Sequence, residues 1–63
     1  MAEYGSPEWL AQRFHETYER LAPAFGYATR EASAVRWDLV PEPNRSLMVA
    51  VAKDILDEIN GWF

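Results

Sequence analysis

The stretch from Trp37 to Arg45, Trp-Asp-Leu-Val-Pro-Glu-Pro-Asn-Arg, carries the side chains best suited to recognising a small molecule. Trp37 offers an indole, Pro41 and Pro43 restrict the backbone, and Asn44-Arg45 places an amide and a guanidinium at the start of an apolar helix. Helix N-termini attract anions through unpaired N–H groups and the helix dipole, and an arginine there adds a planar fork of donors. With Tyr27 and Arg30 nearby, the set suits a flat phosphorylated ligand: a nucleotide-like small molecule with its ring on the indole and its phosphate on the arginines. The ordinary alternative is a structural clasp, with Trp37 in the core and Arg45 paired to Glu42, Asp38 or Glu16, because aromatics in small domains are mostly core. Exposure of Trp37 separates these alternatives.

Elsewhere the chemistry is thin. His15-Glu16 can serve as a proton shuttle or a ligand-contacting donor; its ordinary role is a surface or boundary histidine on a helix. Ser6, Ser33 and Ser46 have no evident base, and nucleophilic catalysis needs one within hydrogen-bond reach. Asp54 and Glu58 are four apart and read as a solvated helix face. Gly26 stands alone, so there is no glycine-rich phosphate loop. With one His and no Cys a zinc site lacks donors. The reading is a chain with no catalytic residues, no metal and no cofactor.

A 63-residue chain forms one domain at most, and a domain of that size buries only about 60% of the surface its unfolded chain exposes. Disulfides are excluded, which leaves dense packing or self-association, and three each of Trp, Tyr and Phe supply the area for either. The net charge is −4 and the basic residues are scattered, so the counterion-displacing patch of a nucleic-acid binder is missing. An inhibitor of a basic partner would rest on net charge alone. No signal peptide and no apolar run near ~18 residues is found, which gives a cytoplasmic expectation and no membrane partner.

The elements that position these residues can be read from local signals. Ser6-Pro7-Glu8 predicts a helix start: a capping hydroxyl, a proline at the first position and an acid beside the positive helix end. The helix runs from Pro7 to about Ala22, ended by Pro23. Leu10, Phe14, Tyr18 and Leu21 recur on one apolar face, flanked by Ala11 and Thr17, and Glu16 and Arg20 are placed to pair. Phe25-Gly26-Tyr27 suggests a turn within a long ordered loop pinned by Phe25, Tyr27, Val35 and Trp37, with one helical turn or none over 30–35. A second helix runs from about Asn44 to Asn60, with Pro41 or Pro43 in its first turn, Met48, Val51, Ala52, Ile55 and Ile59 facing the core, and Leu47, Val49 and Leu56 widening that face. Gly61 stops it, and Trp62-Phe63 either fold back on the core or meet a second subunit. The expected fold is all-α: two main helices joined by a long ordered aromatic loop and completed by homodimerisation.

Two segments carry a family resemblance. Leu10-Ala11-Gln12-Arg13-Phe14-His15-Glu16-Thr17-Tyr18-Glu19 resembles the first helix of the ryanodine-receptor (RyR) domain, with its His-Glu pair followed by an aromatic. Trp37-Asp38-Leu39-Val40-Pro41-Glu42, then Asn44-Arg45 and a helix with Ala52 and Ile55, resembles that family's Trp-x-x-(Leu/Val)-Pro-Glu element. Together they span about half the chain. The resemblance implies a non-enzymatic helical module of the kind found in calcium-release channels and in small proteins of bacteria and their phages. In the channels, paired modules leave a cleft that small nucleotide-like molecules can occupy. Carried over, His15, Glu16, Tyr18, Trp37, Asn44 and Arg45 would line or brace it. The segment 23–30 departs from the family's usual connection, and a two-module cleft here requires a homodimer. The functional expectation is a binding module for a nucleotide-derived small molecule or a partner protein, such as a host protein, near Trp37–Arg45. The alternative is a structural protein acting through an oligomeric helical interface.

Overall fold

In the computed structural model, residues 3–27 and 34–62 are described. Helix α1 spans Pro7–Leu21 and α2 spans Glu42–Asn60, with short 3₁₀ turns at Ala22–Phe25 and Trp37–Leu39. The fold is all-α, with no strand among the described residues. No helix of the described residues is long and apolar enough to cross a membrane.

Local chemistry sets the helix boundaries. The Trp9 amide donates to the Ser6 hydroxyl at 3.1 Å, with Pro7 in the first turn and Glu8 beside the positive end, satisfying one of the donors a helix start leaves unpaired. Pro23 ends the α-helical ladder, and the chain tightens into the first 3₁₀ turn. That turn closes on Gly26, whose φ of 79° is the left-handed conformation glycine adopts without cost, so the expected Phe25-Gly26-Tyr27 turn is present. Helix α2 begins two residues earlier than Asn44. Pro43 sits in its first turn, where a missing N–H breaks no ladder bond.

The core is small: Ala11, Trp37, Val40 and Ala52, with Leu10, Val35, Met48 and Val49 packed around it. Its composition follows from the close approach of the helices. Alanine at positions 11 and 52 removes the bulk that would hold α1 and α2 apart, and Trp37 and Val40 fill the space beside them. Val40, on the short link into α2, is 2% exposed.

On α1 the side that packs is not the bulk of its apolar stripe. Phe14 is 66% exposed, and Tyr18 and Leu21 are exposed too. The buried residues of α1 are Ala11 and His15, followed by Ala22 just past its end. The face is rotated away from the bulkiest apolar stripe because α2 docks on the alanines. On α2, Met48, Ala52 and Ile59 face inward as expected and Val49 and Leu56 flank them, while Leu47, Val51 and Ile55 are exposed. Phe25 and Tyr27 are exposed and do not pin the loop; Val35 and Trp37 do. Trp62 is exposed rather than folded back on the core. The readings placed on residues 28–33 and on Phe63 lie outside the described residues.

Candidate functional site

The candidate residues are divided among three places. The first is a polar hollow of about 600 Å³, lined by Glu8, Gln12, Glu16, Arg36, Trp37, Asp38 and Arg45. Helix α1 supplies Glu8, Gln12 and Glu16 at strict four-residue spacing, which stacks them on one side of the helix. The 3₁₀ turn at Trp37–Leu39 supplies Trp37 and Asp38, and the first turns of α2 supply Arg45. Asn44, half-buried, neighbours Arg45 on α2.

Within the hollow, Trp37 is only 7% exposed, so it has no open indole face for a ligand ring to stack on. The Arg45 side chain is not tied into a clasp either. Its Nε is buried without a hydrogen-bond partner, and the ion pairs of the described residues are Arg13–Glu16 at 3.9 Å, Arg36–Asp38 at 3.7 Å and Lys53–Asp57 at 2.8 Å. The expected Glu16–Arg20 pair is replaced by Glu16 contacts with Arg13 and Gln12. Charge in the hollow is mixed, with Glu8, Glu16 and Asp38 set against Arg36 and Arg45. The α2 start is also a poor anion receptor: Glu42 already meets its positive end, and Pro43 removes one N–H.

The second place is the core itself, which holds His15. The ring is 5% exposed, its centroid 5.9 Å from that of Trp37. Its Nε2 lies 2.6 Å from the Val35 carbonyl oxygen. A carbonyl oxygen can only accept, so Nε2–H donates, and that nitrogen is not free to act as a base. His15 is a buried strut joining α1 to the chain ahead of Trp37, rather than the surface or boundary histidine its helix position suggests. The reason is that α1 turns its 11–15 side to the core.

The third place is an apolar groove of about 390 Å³ lined by Phe14, Thr17, Tyr18, Leu21, Ala22, Phe25 and Tyr27. Helix α1 provides one wall with four- and three-residue spacings, and the 3₁₀ turn and Gly26 swing Phe25 and Tyr27 round to the other. The Phe14 and Tyr18 rings stack at 6.0 Å. Tyr18 and Tyr27 therefore belong here and not with Trp37 and Arg45. Arg30 lies outside the described residues. On sequence alone Phe14, Tyr18 and Leu21 share one face of α1 and Phe25 and Tyr27 pin the loop; the structure joins them in one groove. Glu8, placed by sequence only at the positive helix end, joins the hollow through the 8–12–16 spacing.

Among the described residues, no group of three or more His, Cys, Asp or Glu is arranged to hold a metal ion. No protein-family model, curated protein or solved structure matches this chain.

Proposed function

We propose that this chain is a non-enzymatic interaction module, of the RyR-like kind its sequence resembles, that works by burying its α1 groove against another protein surface. The observation that carries this reading is the groove itself. Phe14, Tyr18, Leu21, Phe25 and Tyr27 form one contiguous apolar surface left open by every described residue. Contiguous exposed apolar patches of this kind mark interaction sites rather than the scattered apolar residues normal on any surface. Either a second copy of the chain or a different protein satisfies it. The test is photo-crosslinking in cells that express the chain, with a benzophenone amino acid at position 25 or, as control, at position 53. Protein adducts concentrated at position 25 are expected. Adducts at neither position, or equally at both, would refute the reading.

A second reading has one observation in its favour. The buried, unpartnered Nε of Arg45 leaves a donor in the polar hollow that a ligand oxygen can satisfy. This is the nucleotide-derived small-molecule function expected for Trp37–Arg45, and it loses the indole-stacking contact. Titrating nucleotides into the wild type and Arg45→Ala while following tryptophan fluorescence tests it. No nucleotide-dependent change in the wild type eliminates it.

A further inference from the structure

We infer that the occupant of the α1 groove is a second copy of this chain, inserting the exposed ridge of its own α2. This rests on the interaction-module reading and names the partner. The first argument is that the chain carries the complement of its own groove. Leu47, Val51 and Ile55 are spaced four apart on α2, so they form one apolar ridge, and all three are exposed. A helix presenting apolar residues at that spacing is what an apolar groove accepts.

Charge supplies the second argument. Along α1, Arg13, Thr17 and Arg20 are spaced four and three, so both arginines flank the groove on the strip that passes through its wall residue Thr17, with Arg13 also 3.9 Å from Glu16. Along α2, Leu47, Val51, Asp54 and Glu58 are spaced four, three and four, so two carboxylates continue the strip of the ridge. All four charged residues are exposed. Basic groove rim and acidic ridge are complementary between copies, although each copy carries a net charge of −4. A two-fold pair lets each copy insert its ridge into the other's groove, the reciprocal contact that closed dimers use.

The test uses the full chain in sedimentation equilibrium, with two double variants: Arg13→Glu/Arg20→Glu at the groove and Asp54→Lys/Glu58→Lys at the ridge. The wild type is expected to dimerise. Each variant alone sets like charges against each other at both contacts and weakens self-association by about a hundredfold. Mixed one to one, the variants restore opposite charge at both contacts and form a heterodimer. Far-UV circular dichroism checks that helix content is unchanged; should a double variant lose it, Arg20→Glu and Glu58→Lys carry the same comparison. A monomeric wild type into the millimolar range, variants that dimerise as the wild type does, or a mixture that stays monomeric would each overturn the inference. A monomeric wild type that still forms adducts from position 25 with other proteins overturns this inference alone and leaves the interaction-module reading standing.

Discussion

Replacing Trp37 and Phe14 separately by alanine measures which aromatic surface holds the monomer together. A buried aromatic side chain covers about 150–250 Å², and apolar burial contributes about 25 cal/mol per Å². Trp37, 7% exposed, therefore stabilises the fold by up to about 5 kcal/mol. That agrees with the about 3–5 kcal/mol that truncating such residues costs. Phe14, 66% exposed, covers only a third of its surface and contributes roughly 1 kcal/mol. A 63-residue domain has a total stability of roughly 3–9 kcal/mol. Trp37→Ala is thus expected to remove most or all of the fold, and Phe14→Ala a small part. Urea titration followed by circular dichroism at 222 nm is the assay, at concentrations low enough to keep the chain monomeric. With a slope of about 1 kcal/mol per molar urea, Phe14→Ala lowers the midpoint by about 1 M. Trp37→Ala leaves little or no cooperative transition. Equal losses from the two substitutions would refute the placement of the core on the Ala11–Ala52 side.

Two further predictions test local features. Gly26→Ala places a side chain at φ 79° with no atom within 4 Å of the new Cβ, so its cost is backbone strain alone, about 1 kcal/mol; thermal melts of Gly26→Ala and Gly26→Asn check it, the asparagine being the milder change. The Lys53 ammonium is held above its ordinary pKa, first by its hydrogen bond to Asp57, then by the Asp57 charge, with a smaller push from Asp54. Because the folded value lies above the unfolded one, the pair's contribution is fully present below the unfolded lysine pKa and is lost as pH rises through the folded pKa. Lys53 is the chain's sole lysine, so a nitrogen-detected NMR titration reads it directly. Identical values in buffer and in urea would remove the effect.

The local end of the hierarchy was legible from residues alone. Ser6-Pro7-Glu8, Pro23, Gly26, Pro43 and Gly61 act within one turn of chain, through caps, missing donors and permitted backbone angles. The helix limits and the Gly26 turn therefore follow without reference to anything distant. The all-α class follows as well, from the helical spacing of apolar residues along both segments. The direction in which each helix turns that apolar surface did not follow. Helix α1 carries two possible inward faces: a bulky one through Phe14, Tyr18 and Leu21, and a compact one through Ala11 and His15. Periodicity favours the bulky face, because area dominates the hydrophobic term. Only the tertiary structure shows that α2 docks on the alanine side of α1, where Ala11 and Ala52 cluster with Trp37 and Val40. The same docking decides the sites. It buries Trp37, takes His15 out of solvent to hold the Val35 carbonyl, and separates Tyr18 and Tyr27 from Arg45. The bulk that the sequence supplies for a core is left as an open groove among the described residues, because α2 docks on the other side of α1.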